Sequence, residues 1–242
     1  MILITRPKKQ SKSLLLKLNS YGFQTFHESF YSIKYLKYNF IYNKNDYYIF
    51  PSLNSVQSLI ENKQIKKFYD SKIFAIGSKV KKALIEQGCN NIIKTTEDSN
   101  KLSIILKNLK FNNSKFVYLG SNIINHEFFQ KMKKQEKFIE KKTIYKTTPR
   151  LKFTKKLIEK IESNEISAVL FYSSLATENF LKLSVSHDIN LVRKKMKFFC
   201  ISKRVAAPLR FNKFKSIYVA SKPNQSAMIK LVKENLKFDK KH

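Results

Sequence analysis

Two stretches decide the reading of this chain: Asp46 to Ile60, DYYIFPSLNSVQSLI, and Ile166 to Leu181, ISAVLFYSSLATENFL. Each runs from an apolar β-prone segment through a serine turn into an amphipathic helix. Such a unit belongs to an α/β sheet of parallel strands. Two further pairs follow in the same order. Lys72 to Leu84, KIFAIGSKVKKAL, resembles Lys197 to Leu209, KFFCISKRVAAPL, and Ile92 to Leu106, IIKTTEDSNKLSIIL, resembles Ile217 to Leu231, IYVASKPNQSAMIKL. Ser52 precedes Ser173 by 121 residues and Gly77 precedes Ser202 by 125. A repeat of that length is a whole small domain rather than a solenoid unit. The opening ILITRP has a weaker counterpart in Phe116-VYLGSN. Two similar α/β domains are therefore expected.

At the N-terminus, Ile2 to Thr5 reads as a buried strand and Ser11 to Leu18 as a helix with Leu14, Leu15 and Leu18 on its apolar face. Gly22 offers a left-handed stop before a strand from Phe23 to Phe26. Phe26 to Ile41 and Lys142 to Thr148 are tyrosine-rich and β-prone. We expect them to pair as a two-stranded connector. The first domain is then discontinuous, 1–27 with 149–242, and the second spans 28–148 with the connector strands.

Composition excludes several classes. The chain has 242 residues, with 48 Lys+Arg against 17 Asp+Glu for a formal net charge of +31. At 43% hydrophobic it has enough apolar surface for a real core, against wholesale disorder. No apolar run approaches the ~20 residues of a membrane span. MILITRPKK places an apolar segment before its charges, the reverse of a signal peptide. Cys89 and Cys200 are too few for a disulfide framework or a four-ligand zinc site. A soluble, cytoplasmic protein is expected.

The charge itself invites a nucleic-acid reading. However, only five of the cations are arginine, the lysines are spread along the chain, and the longest basic run is Arg193-Lys194-Lys195. Richness in Lys, Ile, Asn, Phe and Tyr with little Gly or Arg matches AT-rich codons. Compositional drift accounts for most of the charge, though the field still attracts a polyanion.

Catalytic signatures are sparse. There is no Walker loop, no GxGxxG and no GxSxG elbow. His27, His126, His187 and His242 lack ligand spacing, so no metal is expected. What recurs is serine where a strand hands over to a helix: Ser52, Ser78, Ser121, Ser173, Ser174 and Ser202. Serine is a preferred helix cap. The same edge is where open α/β sheets bind ligands, and helix N-termini suit carboxylate or phosphate.

These segments, in this order, resemble the uroporphyrinogen-III synthase family. ILITRP, YIFPSLNSVQSLI, KIFAIGSKVKKALIEQG, FVYLGSN, TIYKTTP, AVLFYSSLATENFL, KFFCISKRVAAPL and VASKPNQSAMIKLV carry the likeness over nearly the whole chain. It implies two flavodoxin-like, Rossmann-like α/β domains with parallel sheets, a two-stranded β connector, and a cleft between them. It implies a cyclising lyase of tetrapyrrole (haem) biosynthesis. Linear hydroxymethylbilane, with eight carboxylates, loses its hydroxyl, closes through a spiro intermediate and inverts its terminal pyrrole. Holding that flexible chain in one folded pose is most of the task.

By motif matching, the resemblance places Arg6, Ser52, Leu53, Gly77, Ser78, Lys79, Gly120, Ser121, Ser173, Ser174, Ser202, Lys203 and Arg204 on the substrate. Tyr145, in IYKT, matches the family's V/I-Y-x-T tyrosine and is the catalytic candidate, a phenol near the departing hydroxyl. No cofactor is implied. A monomer is, with transient contact to the preceding pathway enzyme and no specific nucleic acid or membrane partner. Two departures stand out. Ile201-Ser202-Lys203-Arg204-Val205 replaces I-G-x-T-T/S-A, and Pro208 falls inside the following helix, where it should kink or shorten it. Asn212 stands at the usual glycine stop, a left-handed position that asparagine tolerates. The alternative readings are a basic two-domain binder of polyanions or nucleic acid, and a diverged, non-catalytic homologue.

Overall fold

Ile2, Leu3 and Ile4 are all buried, and they divide by parity. Leu3 packs in one apolar cluster, whereas Ile2 and Ile4 pack in another. A strand covered on both faces demands such a continuous aliphatic run. In a computed structural model that describes residues 1–38, 41–109, 115–187 and 196–236, this holds for most central strands. Phe198 and Cys200 face one side and Phe199 the other, as Tyr48 and Phe50 oppose Ile49.

The elements begin with β1 (Ile2–Ile4), α1 (Lys8–Ser20), β2 (Thr25–His27) and β3 (Tyr31–Tyr35). A contiguous run follows: β4 (Tyr47–Phe50), α2 (Leu53–Glu61), β5 (Lys72–Ile76), α3 (Ser78–Glu86), β6 (Ile92–Thr96), α4 (Ser99–Asn108), β7 (Phe116–Ser121), α5 (His126–Lys134) and β8 (Ile139–Pro149). The remainder is α6 (Lys155–Glu162), β9 (Ala168–Phe171), α7 (Ser174–Ser186), β10 (Lys197–Cys200), α8 (Lys203–Phe211), β11 (Ile217–Val219) and α9 (Gln225–Asn235).

By its contacts the chain divides into two units, Met1–Ser32 with Thr148–His242, and Ile33–Thr147. The sheet of the first runs β11-β10-β9-β1-β2, that of the second β3-β8-β7-β4-β5-β6. Pairings among β1, β2 and β9–β11, and among β4–β8, are parallel. Taken in chain order, β4 to β8 lie as 3-2-1-4-5, the Rossmann arrangement. The first sheet has the same spatial order with its last two strands supplied from the N-terminus. β1 and β2 correspond to β7 and β8, and β9 to β11 correspond to β4 to β6.

Helices cover both faces of each sheet. Residues of α6, α7 and α8 line one face of the first sheet and those of α1 and α9 the other. In the second unit α2 and α3 lie opposite α4 and α5. The two chain crossings run as neighbouring strands, β3 and β8. The connector is thus narrower than Phe26 to Ile41: Phe26 belongs to β2, and residues 39–40 lie outside the described residues. β8 also exceeds its connector role, since it is a full strand of the second sheet beside β7.

On the first-unit side the crossings are tied by Glu28, 5% exposed, whose carboxylate accepts from Arg150 at 2.6 Å, from the Thr154 N–H at 3.1 Å and from the Thr154 hydroxyl. Asn179 of α7 donates to the carbonyls of both Phe30 and Arg150, at 2.8 and 2.9 Å.

Local expectations meet three corrections. The helix expected from Ser11 starts at Lys8, because Pro7 sets the backbone for a helix entry. Gly22 does stand at φ 78, but Phe23 closes back on Leu18 with its N–H, so the strand waits until Thr25. Asn212 sits at φ −84, and the left-handed residue is Lys213 at φ 56. Pro208 lies inside α8, which nonetheless continues to Phe211. The Arg204 carbonyl, denied a donor by the proline ring, accepts from Ser174 Oγ of α7 at 3.4 Å. Arg193-Lys194-Lys195 and His242 lie outside the described residues.

Candidate active site

In each sheet the strand order reverses between two central neighbours, β4 and β7 in one unit, β9 and β1 in the other. Their connections depart to opposite faces, and the carboxyl end of such a pair is where ligands sit in open α/β sheets. The two edges are described separately.

In the second unit, Ser52 follows β4 and caps α2, accepting from the Ser55 N–H at 3.4 Å. Ser55 in turn donates to the Leu119 carbonyl of β7 at 2.6 Å, tying helix start to neighbouring strand. The Ser52 hydroxyl shares a 2.9 Å hydrogen bond with that of Tyr145, a side chain only 7% exposed. Leu53 is 40% exposed beside it. Gly120 packs so closely on the Tyr118 ring that a Cβ would come within 2.6 Å of it. Gly77 caps α3 at φ 99, a conformation open to glycine, and Ser78 and Lys79 open the helix on its exposed side.

In the first unit, Ser173 follows β9 and caps α7, accepting from the Ala176 N–H at 3.2 Å. Its side chain lies close enough to the Tyr31 hydroxyl to favour the ionised phenol. Burial pushes the Tyr31 phenol up, with Ser173 and the Arg6 charge pulling it back. Arg6, just past β1, lays its guanidinium carbon 4.4 Å from the centroid of the Tyr172 ring, a cation–π contact. His27 donates from Nε2 to the Arg6 carbonyl at 2.7 Å, fixing the backbone there. The Tyr172 hydroxyl is buried with no partner among the described residues, and burial raises its pKa. Ser202 caps α8 through the Val205 N–H at 3.4 Å, and Lys203 and Arg204 lie exposed in the first turn.

Electrostatically these edges share one property. None of α2, α3, α7 and α8 carries an acidic residue in its first turn. Their N-terminal N–H groups and partial positive charge therefore lack an internal counter-ion. Lys79, Lys203 and Arg204 increase the positive potential, an arrangement that costs stability unless an anion relieves it.

Of the serine turns, Ser52, Ser173 and Ser202 are caps, and Ser174 is the first residue of α7. Ser78 is not a cap, since Gly77 takes that place. Ser121 is not one either: it ends β7, accepts from the Ile123 N–H at 3.1 Å, and leaves the capping of α5 to Asn125. Tyr31 and Tyr172 join the first-unit edge without having been singled out by the sequence. Tyr31 follows β2 as Tyr145 stands in β8, so the doubled pattern held a signal for it. The contact of Tyr172 with Arg6 has no local signal.

Among curated protein sequences none matches the chain significantly. Among solved structures it is similar to a mutant uroporphyrinogen III synthase from the extremely thermophilic bacterium Thermus thermophilus, with a TM-score of 0.65 at 14% identity over 97% of this chain and 98% of that one. It is similar also to uroporphyrinogen-III synthetase from Helicobacter pylori 26695, with a TM-score of 0.62 at 15% identity over 96% and 97%. These likenesses show the fold. The model of the uroporphyrinogen-III synthase HemD family matches residues 12–230, and the chain belongs to that family.

Proposed function

We propose that the protein performs the reaction of its family, closing hydroxymethylbilane to uroporphyrinogen III with inversion of the terminal pyrrole and loss of water. The observation that carries the assignment of roles is the 2.9 Å bond between Tyr145 and the α2 cap Ser52 at the carboxyl end of the sheet. It puts a phenolic proton beside helix N–H groups that lack an acidic partner. Departure of the substrate hydroxyl breaks a C–O bond, and the oxygen leaves as water once protonated. Tyr145 supplies that hydrogen bond or proton. Closure is redox-neutral and requires no electron acceptor.

The remaining roles are binding roles. The N-termini of α2, α3, α7 and α8, opened by Ser52 and Leu53, Gly77 to Lys79, Ser173 and Ser174, and Ser202 to Arg204, take substrate carboxylates. Arg6, Gly120 and Ser121 complete the two edges. Lys203 and Arg204 replace the threonine contacts of the family pattern with direct ion pairs. We take the two units as separate domains, acting in a cytoplasmic monomer that receives its unstable substrate by transient contact with the enzyme that makes it.

The test supplies purified protein with freshly generated hydroxymethylbilane and separates the oxidised isomers. A type III fraction above the protein-free blank supports the reading; a fraction equal to the blank removes it. Nucleic-acid binding that survives physiological salt would favour the polyanion-binding alternative instead.

A further inference from the structure

Consecutive residues of a regular strand face opposite sides of its sheet. Ile144 and Tyr145 do not: both belong to the apolar cluster formed with α2 and α3. Ile139, which shares the parity of Tyr145, packs on the other face with α4 and α5. The register shows the step. Gly120 pairs with Thr143, but the next residue, Ser121, pairs with Tyr145. Ile144 is therefore the extra residue of a β-bulge, and without it the phenol would point away from α2 and Ser52.

A bulge breaks its ladder locally, so its polar groups need other partners. Ser58 Oγ donates to the Ile144 carbonyl at 2.6 Å, and the Leu36 N–H donates to the same oxygen at 3.1 Å. On the far side of Tyr145, the Thr147 N–H donates to Asn122 Oδ1 at 2.7 Å. Asn122 directly follows Ser121, the register partner of Tyr145, at the point where β7 has ended. Its amide thus stands in for the missing ladder acceptor.

We propose that Asn122 is a positioning residue for Tyr145: its amide oxygen, holding the Thr147 N–H, keeps β8 in the bulged register that aims the phenol at Ser52. The inference rests on the reading of Tyr145 as the phenol that meets substrate. Asn122 is itself exposed, so its truncation leaves the apolar core intact.

The experiment uses the full chain with 3-fluorotyrosine at position 145, read by fluorine NMR beside steady-state formation of type III product. Asn122→Ala is expected to shift the resonance and lower kcat about fivefold, the worth of one hydrogen bond, with KM held. Asn122→Asp, which retains an acceptor oxygen, restores both. In a Tyr145→Phe background, Asn122→Ala adds no further loss. An unmoved resonance in Asn122→Ala, or an equal loss in the Tyr145→Phe background, overturns the proposal. If the resonance moves while Tyr145→Phe turns over like wild type, positioning stands and the catalytic reading of Tyr145 falls.

Discussion

The two sheet edges are built on one plan and furnished differently. Both place a serine cap after the strand on one side of the order reversal, Ser52 and Ser173, and both set a tyrosine hydroxyl near that cap, Tyr145 hydrogen-bonded to Ser52 at 2.9 Å and Tyr31 beside Ser173. Beyond this they diverge. The first unit adds Arg6 stacked on Tyr172, and Lys203 and Arg204 at the start of α8. The second has Gly120 in β7 where the first has Arg6, and Ser78 and Lys79 where the first has Lys203 and Arg204, and it bulges β8 to bring in its phenol. The lesson is that backbone N–H groups and caps hold the shared anion-binding geometry. Side chains then separate an edge with three cations, Arg6, Lys203 and Arg204, from one with Lys79 and a buried hydroxyl at its centre.

The largest expected effect tests that division directly. Tyr145→Phe should slow type III formation about tenfold without unfolding the chain, while Tyr31→Phe should mainly raise KM, by about threefold. Equal loss of kcat in both would erase the distinction. Next, Arg6→Gln should raise KM about fivefold, and added salt should shrink the gap from wild type, since the lost contact is charge-assisted. A salt-independent effect would make Arg6 a packing residue of Tyr172.

Cap removal should be smaller and nearly symmetrical: Ser52→Ala and Ser173→Ala should each cost about 1 kcal/mol by denaturant titration. Only Ser52→Ala should also slow turnover, because only there does the cap hold the reacting phenol. The smallest effect compares the units through their buried thiols. Burial pushes Cys89 up to about 11 and Cys200 up to about 12 from 9.0. A raised folded pKa contributes stability below 9.0 that is lost as pH climbs through the folded value. The loss runs further for Cys200, whose folded value lies higher, so alkaline unfolding followed by thiol labelling should expose Cys200 ahead of Cys89.

Much of the fold was legible because its signals are local. Strand, serine and helix recur within a dozen residues, and Ser52, Ser173 and Ser202 cap where their spacing says. Ser121 misleads for a local reason too: Asn125, four residues on, is the better-placed cap. Asn212 misleads because the next residue takes the left-handed turn. What stayed hidden depends on register and on pairs far apart in the chain. The bulge at Ile144 appears only once β7 lies beside β8. Glu28 with Arg150, 122 residues apart, and Arg6 over Tyr172 need the whole unit assembled. The strand order of the first sheet is hidden likewise, because its N-terminal strands complete a set begun after residue 148.

That split has a consequence for synthesis on the ribosome. β1 and β2 emerge first and can pair with each other, yet the bond from the Thr5 hydroxyl to the Leu170 carbonyl spans 165 residues, so β9, the partner on the other side of β1, does not exist for most of translation. Ile33–Thr147, by contrast, is one uninterrupted stretch. The nascent chain should fold from its middle outward, the inserted unit acquiring protease resistance while the apolar ILI segment ahead of it still lacks β9. Chains truncated near residue 160 and released from the ribosome would reveal this as a protected central fragment with a cleavable N-terminal arm. A protected N-terminus at that length would reverse the order. During that interval the side of β1 that will meet β9 is an open, adhesive edge, and nearby Lys8 and Lys12 should discourage one nascent chain from joining another.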